Sequence, residues 1–324
     1  KQRQQAAERE FLLLKKDEPA ITLDGVPIRL EANIELPEEA QEALALGATG
    51  IGLYRSEFLF MGRDDLPSEQ EQYEAYAHVL KTMGERPVTI RTLDIGSDKT
   101  LNDEATVAVN PALGLRAVRY CLARPEMFLT QLRALLRASV HGRLRILIPM
   151  ISHIHEVHAV KRYLTQARNE LIAEGHALNE MIELGAMVEI PAIAIAIEPF
   201  LKELDFVSIG TNDLIQYTLA VDRVDSDVAD LFDPLHPAIL RLVANTIQAG
   251  ERAGKDVCVC GEMAGEVDYT RLLLGLGLKG FSMHARQIPD VKEIVRHAHT
   301  NILRGKVAQS LNYATSVDLE QINA

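Results

Sequence analysis

The chain has 324 residues, of which 47% are hydrophobic, and carries 34 Lys and Arg against 46 Asp and Glu, a net charge of −12. That hydrophobic share is enough for a sizeable core, and the acidic balance argues against non-specific binding to nucleic acid or to an anionic membrane surface. The longest apolar run, 190–197, falls far short of the roughly 18 residues of a membrane span.

Residues 1–16 are polar apart from Phe11-Leu12-Leu13-Leu14 and read as a linker helix, which Asp17-Glu18-Pro19 breaks. The chain opens at Lys1 without methionine and without the pattern of a secretory signal, so an upstream domain is expected, with 1–20 as linker and 21–324 as the main domain. Residues 21–26, with Asp24-Gly25, suggest a small hairpin or turn. A rhythm follows. Strand-like runs occur at 28–34, 50–54, 88–93, 144–148, 184–190, 206–209, 257–260 and 280–283. Helix-like segments come after them at 37–46, 67–83, 113–121 with 125–140, 153–173, 191–201, 214–221 with 237–253, 267–276 and 288–302. Prolines at several helix starts support these boundaries.

Strands alternating with helices imply parallel βαβ units. Eight units over about 250 residues is the size of a (β/α)8 TIM barrel. The competing doubly wound sheet usually carries a Gly-rich phosphate loop after its first strand, and none is present.

In such a barrel the active site lies at the C-terminal strand ends. Reading those positions in order gives Asn33, then Arg55 and Glu57, then Arg91 and Asp94. The later ends give Glu189, then Asn212 and Asp213 with Arg223 beyond, then Cys260 and Glu262, and finally Ser282. Three guanidiniums can hold a phosphate through paired N–H donors. Glu189 and Asp213, on neighbouring strands, suit a hard divalent ion such as Mg²⁺, with remaining positions left to substrate and water. Zinc is disfavoured, since no His or Cys is needed there. Cys260 reads either as a small buried hydrophobe or, beside such a site, as a proton donor. Cys258, two residues earlier, offers only a weak Cys-x-Cys metal pair. With Cys121 these make three cysteines, too few for a disulfide framework, and a reducing, cytoplasmic setting is expected. His153, His155 and His158 read as a solvated helix start rather than a metal site.

Five stretches carry a specific resemblance: GLYRSEFLF at 52–60, RTLDIGSDK at 91–99, MVEIPA at 187–192, SIGTNDLIQYTLAVDR at 208–223 and CGEMAG at 260–265. Over essentially its whole length the chain resembles the C-terminal, phosphoenolpyruvate-binding domain of Enzyme I of the bacterial sugar phosphotransferase system. It is equally similar to the Enzyme I module of multiphosphoryl transfer proteins. Pyruvate phosphate dikinase and phosphoenolpyruvate synthase carry related motifs. The resemblance implies a TIM barrel, a homodimer, and phosphoenolpyruvate bound with Mg²⁺. By the same resemblance Arg55, Arg91, Arg223 and Asn212 would hold the phosphoryl group, and Glu189 and Asp213 the metal. Cys260 would protonate the departing enolate to give pyruvate, and Arg116 would lie near the substrate. The phosphoryl group would pass to a histidine on a missing N-terminal domain, and from there to a histidine-containing carrier protein that feeds sugar uptake. None of the ten histidines here sits in the Thr-Ser-His type of motif that holds the acceptor. The chain departs from the family pattern at Ser97, at Ala108-Val109 and at Leu115, all in the loop after the third strand, a lid candidate. Two other classes stay open from the residues: a sensing module that binds the ligand without transfer, and a lyase or aldolase using a metal-held enolate.

Overall fold

The computed structural model describes residues 12, 14–95, 111–223, 225–311 and 318–323. Eight parallel strands form a closed barrel: β1 (Arg29–Ile34), β2 (Ile51–Arg55), β3 (Val88–Arg91), β4 (Leu144–Ile148), β5 (Glu183–Val188), β6 (Phe206–Ile209), β7 (Asp256–Val259) and β8 (Gly280–His284). Each pairs with its sequence neighbour, and β1 pairs with β8 to close the ring. The expected (β/α)8 barrel is the fold.

The helices outside the ring are, in chain order, α1 (Glu39–Ala45), α2 (Glu69–Met83), α3 (Ala117–Ala123), α4 (Pro125–Ala138), α5 (Ile154–Ala173), α6 (Pro191–Ile195), α7 (Ile197–Glu203), α8 (Thr211–Leu219), α9 (Pro237–Ala253), α10 (Val267–Gly275), α11 (Ile288–Arg296), α12 (Thr300–Ser310) and α13 (Leu319–Asn323). Local chemistry explains several starts. Ser68 and Glu71 form a reciprocal capping box at α2. Pro125 and Pro237 stand at the first turns of α4 and α9, where a missing N–H costs nothing.

Alternation along each strand sorts the side chains into two regions. Outward residues such as Val207, Ile209, Val257 and Val259 join the large apolar layer between ring and helices. Inward residues fill the lumen in storeys, as a TIM barrel requires. The upper storey is apolar: Leu53, Leu147, Met187, Phe206 and Cys260 pack together. Below it lies a charged floor. Asp256 accepts from Arg29 at 2.5 Å and from Arg145 at 2.8 Å, and the Arg145 guanidinium lies 3.8 Å from the centre of the Phe206 ring. Glu31, also in the floor, is 3.4 Å from Arg29.

Helix boundaries differ from the sequence expectation in several places; the helix expected at 113–121, for one, begins at Ala117. The helix expected at 214–221 begins at Thr211, with Gly210 rather than a polar side chain as its N-cap. The single helix expected at 191–201 is two, broken at Ala196, because Pro199 cannot donate to the Ile195 carbonyl and its ring would clash there. The helix expected at 288–302 is also two, α11 and α12. The break between them meets the N-terminal turn: Leu23 N–H donates to the Ala298 carbonyl at 2.9 Å. Residues 1–11 and 13 of the expected linker, together with Ser97, Ala108 and Val109, lie outside the described residues.

Candidate active site

The strand ends open into a cavity of about 420 Å³. Its wall holds Arg55, Arg91, Arg116 and Arg223. Glu189, Asn212, Asp213 and Cys260 line it too, so every residue given a role by the resemblance faces one space; of the other strand-end residues, Asn33 and Glu262 line an adjoining pocket and Ser282 lines neither.

Arg91 ends β3 and is buried. Its guanidinium bonds Glu57, and its Nη1 lies 2.9 Å from Asp94 Oδ2. Arg116, the N-cap of α3, reaches Asp94 Oδ1 at 2.9 Å and donates to the Tyr217 hydroxyl at 3.3 Å. Burial pushes the Asp94 carboxyl up, but Arg91 and Arg116 outweigh it and hold it below the usual range. For Glu57 burial wins over Arg91, and the carboxyl is raised. Each guanidinium keeps an uncommitted donor: the buried Nε of Arg91 and of Arg116 have no hydrogen-bond partner among the described residues. A buried donor without a partner is costly. Arg55, at the end of β2, is half-exposed and pairs with Glu35 at 2.8 Å. Arg223 is exposed and makes no ion pair among the described residues.

Glu189 follows β5 directly and is 1% exposed. Its Oε1 accepts the Met150 N–H at 2.6 Å, and Met150 holds a left-handed backbone (φ 58°) to present that donor. A non-glycine residue there costs about 1–2 kcal/mol. Burial, then the charges of Asp213 and Asp94, push the Glu189 carboxyl well above its ordinary value. A hard cation between Glu189 and Asp213 would relieve that repulsion. Among the described residues no three His, Cys, Asp or Glu side chains gather as a metal cluster. Mg²⁺ needs no such cluster, since one or two carboxylates plus substrate oxygens and water satisfy it. The donor pair therefore fits Mg²⁺.

Asn212 and Asp213 lie in the first turn of α8. The Asn212 carboxamide is held at both ends: its Nδ2 donates to Glu262 Oε1 at 3.0 Å, and its Oδ1 accepts the Glu262 N–H at 3.0 Å. Cys260 stands one residue past β7, its thiol 3.6 Å from the Ile209 carbonyl. Burial pushes this thiol up to about 11, against the lowering effect of Ser208. It is therefore protonated at neutral pH.

A family model described as PEP-utilising enzyme, PEP-binding domain, matches residues 10–300. The chain belongs to this family. A phosphoenolpyruvate-protein phosphotransferase of Cupriavidus necator is 54% identical over 315 residues, covering 96% of this chain and 54% of that protein. A protein of the same name from Staphylococcus epidermidis is 50% identical over 307 residues, covering 94% and 53%. The chain thus spans about half the length of these relatives. In fold it is similar to an HpcH/HpaI aldolase/citrate lyase family protein from Burkholderia cenocepacia, with a TM-score of 0.51, 15% identity, and 92% and 98% of the two chains covered.

Some of the site was hidden from the sequence. Glu35 and Tyr217 engage Arg55 and Arg116 across the mouth, and neither stands out in the strand-end reading. The only local signal for Tyr217 is its place on α8, one turn beyond Asp213. Cys258 does not face the cavity with Cys260: it points into the floor, 3.9 Å from Glu31 Oε2. His153 is the N-cap of α5, and His158 lies 3.8 Å from Glu203.

Proposed function

We propose that the chain is the phosphoenolpyruvate-binding half of a phosphoenolpyruvate–protein phosphotransferase of the Enzyme I type. The observation that carries this reading is one cavity holding four guanidiniums, the Glu189–Asp213 pair and a protonated thiol. Fully ionised, its wall has four cationic groups, Arg55, Arg91, Arg116 and Arg223. Against them stand five carboxylates, Glu57, Asp94, Glu189, Asp213 and Asp222, a balance of 4 − 5 = −1. A wall so ionised offers a trianion no net attraction. Glu189 and Asp213 would hold Mg²⁺, which when bound would reverse the sign and polarise the substrate oxygens.

Arg55, Arg91 and Arg223, with Asn212, hold the phosphoryl oxygens and balance charge as the bridging P–O bond breaks. Arg116 supports Arg91 through their shared Asp94. The phosphoryl group passes in line to a histidine nitrogen on an upstream domain. The bridging oxygen keeps the bonding pair, leaving an enolate. The methylene carbon then takes the Cys260 proton, giving pyruvate, and the thiolate recovers a proton from water. A thiol titrating near 11 keeps its proton in the resting site, yet yields it to an enolate carbon, a far stronger base. The working protein is a cytoplasmic homodimer that passes the phosphoryl group to a carrier protein for sugar uptake.

Calorimetry of phosphoenolpyruvate with and without Mg²⁺ tests the first half. Binding should require Mg²⁺ and weaken at least about tenfold in Arg55→Ala, whose half-exposed side chain can go without unfolding the mouth, and in Arg91→Ala. Metal-independent binding that ignores both substitutions would sink the reading. Cys260→Ala should bind normally yet form no pyruvate when the upstream domain is supplied. Pyruvate at the wild-type rate would remove the thiol from the reaction.

A further inference from the structure

Cys260 lies where the ladder between β7 and β8 has run out. The register of these strands ends at Val259 and Phe281, and the Cys260 N–H is committed to the Ile209 carbonyl on the other side at 3.0 Å. Its own carbonyl is caught by a side chain from two strands away: Asn33 Nδ2, near the end of β1, donates to Cys260 O at 3.0 Å. A carbonyl oxygen can only accept, so the carboxamide must turn its nitrogen toward Cys260 and its oxygen away. The Ser282 hydroxyl, fully buried on β8, donates to Asn33 Oδ1 at 2.5 Å and fixes that choice.

The surrounding backbone makes room for this pair. The β1–β2 register slips between Ala32 and Asn33, leaving Gly52 as the extra residue on β2. A bulge of this kind re-aims the side chain beside it. A Cβ at Gly52 would stand 2.2 Å from Ser282 Oγ, so a glycine is required for the hydroxyl to occupy its place. On the other flank, a Cβ at Gly261 would meet Thr211 Oγ1 at 1.9 Å. The loop bearing the thiol is thereby pressed against α8 and tied to β1.

We propose that Asn33, oriented by Ser282, is a positioning residue that aims the Cys260 thiol into the cavity for proton transfer to the substrate's methylene carbon. This inference rests on the reading of Cys260 as the proton donor. The bonds described act on the Cys260 backbone, so their loss should displace the thiol while leaving the Arg and carboxylate groups in place.

Two measurements on this chain test it. The first is Mg²⁺-dependent exchange of pyruvate methyl hydrogens in D₂O followed by NMR, with phosphoenolpyruvate affinity measured in parallel. Asn33→Ala and the isosteric Asn33→Asp should lower exchange about tenfold or more, Ser282→Ala less, with affinity kept within about threefold. The second needs no metal: the rate of Cys260 alkylation by iodoacetamide, read by peptide mass, should change several-fold in the same variants while buried Cys121 stays unreactive. Wild-type exchange and alkylation in the Asn33 variants would overturn the proposal, as would affinity falling in step with exchange. Cys260→Ala separates the two claims. If it still exchanges, the donor assignment fails. If it loses exchange while the Asn33 variants keep it, only the positioning role fails.

Discussion

The guanidiniums of the mouth are held by two physically different kinds of ion pair. Arg91 and Asp94 have side chains 9% and 4% exposed, whereas Arg55 and Glu35 are 38% and 42% exposed. Breaking a buried pair strands a charge in a medium that cannot solvate it, and Asp94 also serves Arg116. Asp94→Ala is therefore expected to lower the unfolding free energy by about 3–5 kcal/mol in urea titrations. Glu35→Gln should cost less than about 1 kcal/mol, because water replaces what Arg55 loses. The same change frees Arg55 from a competing carboxylate, so phosphoenolpyruvate affinity should rise rather than fall. An affinity that drops would mean Glu35 orients Arg55 instead of competing with the ligand. Arg55, Arg91, Glu189 and Cys260 were legible in the sequence because each sits at or one residue past a strand end. Their pairings were not. The Arg116–Tyr217 contact spans 101 residues, and the Asn33–Cys260 contact spans 227, so closure of the ring rather than local pattern brings them together.

Among the elements, α12 shows where sequence reading stops. Its own N-cap, His299, supplies no side-chain bond. The orphan amides go instead to Asp24, 276 residues away: Thr300 N–H donates to its Oδ1 at 3.0 Å and Asn301 N–H to its Oδ2 at 3.1 Å. The Thr300 and Thr22 hydroxyls add bonds of 2.6 and 2.7 Å. Burial raises this carboxyl, but those bonds prevail and depress it far below the ordinary range. A depressed carboxyl gives stability that is complete above its unfolded value of about 3.9 and is lost as pH falls toward the folded one. Asp24→Asn should lower stability at neutral pH by about 1–2 kcal/mol, and the gap to wild type should close in acid. A gap that persists unchanged at the lowest pH would assign the loss to packing. Helix starts with local signals, such as Ser68 with Glu71 and Pro125, were readable. The α11–α12 break was not, because its cause is a turn at the other end of the chain.

At the scale of the whole barrel, the alternation of strand and helix was enough to identify the fold, since eight regular units have few ways to bury both faces of a parallel sheet. What the pattern concealed was the lumen, where Glu31, Arg145 and Asp256 on three separate strands meet. Burial raises the Glu31 carboxyl despite Arg29 and Arg145. A raised carboxyl binds its proton more tightly in the folded state, so its contribution is complete below about 4.3 and declines as pH rises through the folded value. Wild-type stability should therefore fall more steeply above that point than Glu31→Gln stability, compared as urea midpoints across pH. Parallel curves would show that the neighbouring guanidiniums keep Glu31 ionised throughout.

The same filled floor governs traffic. With charged and apolar storeys packed beneath it, the cavity has no passage down through the lumen among the described residues. On the proposed reading, reactant and product would share the mouth, and whatever settles deepest would be the last to leave.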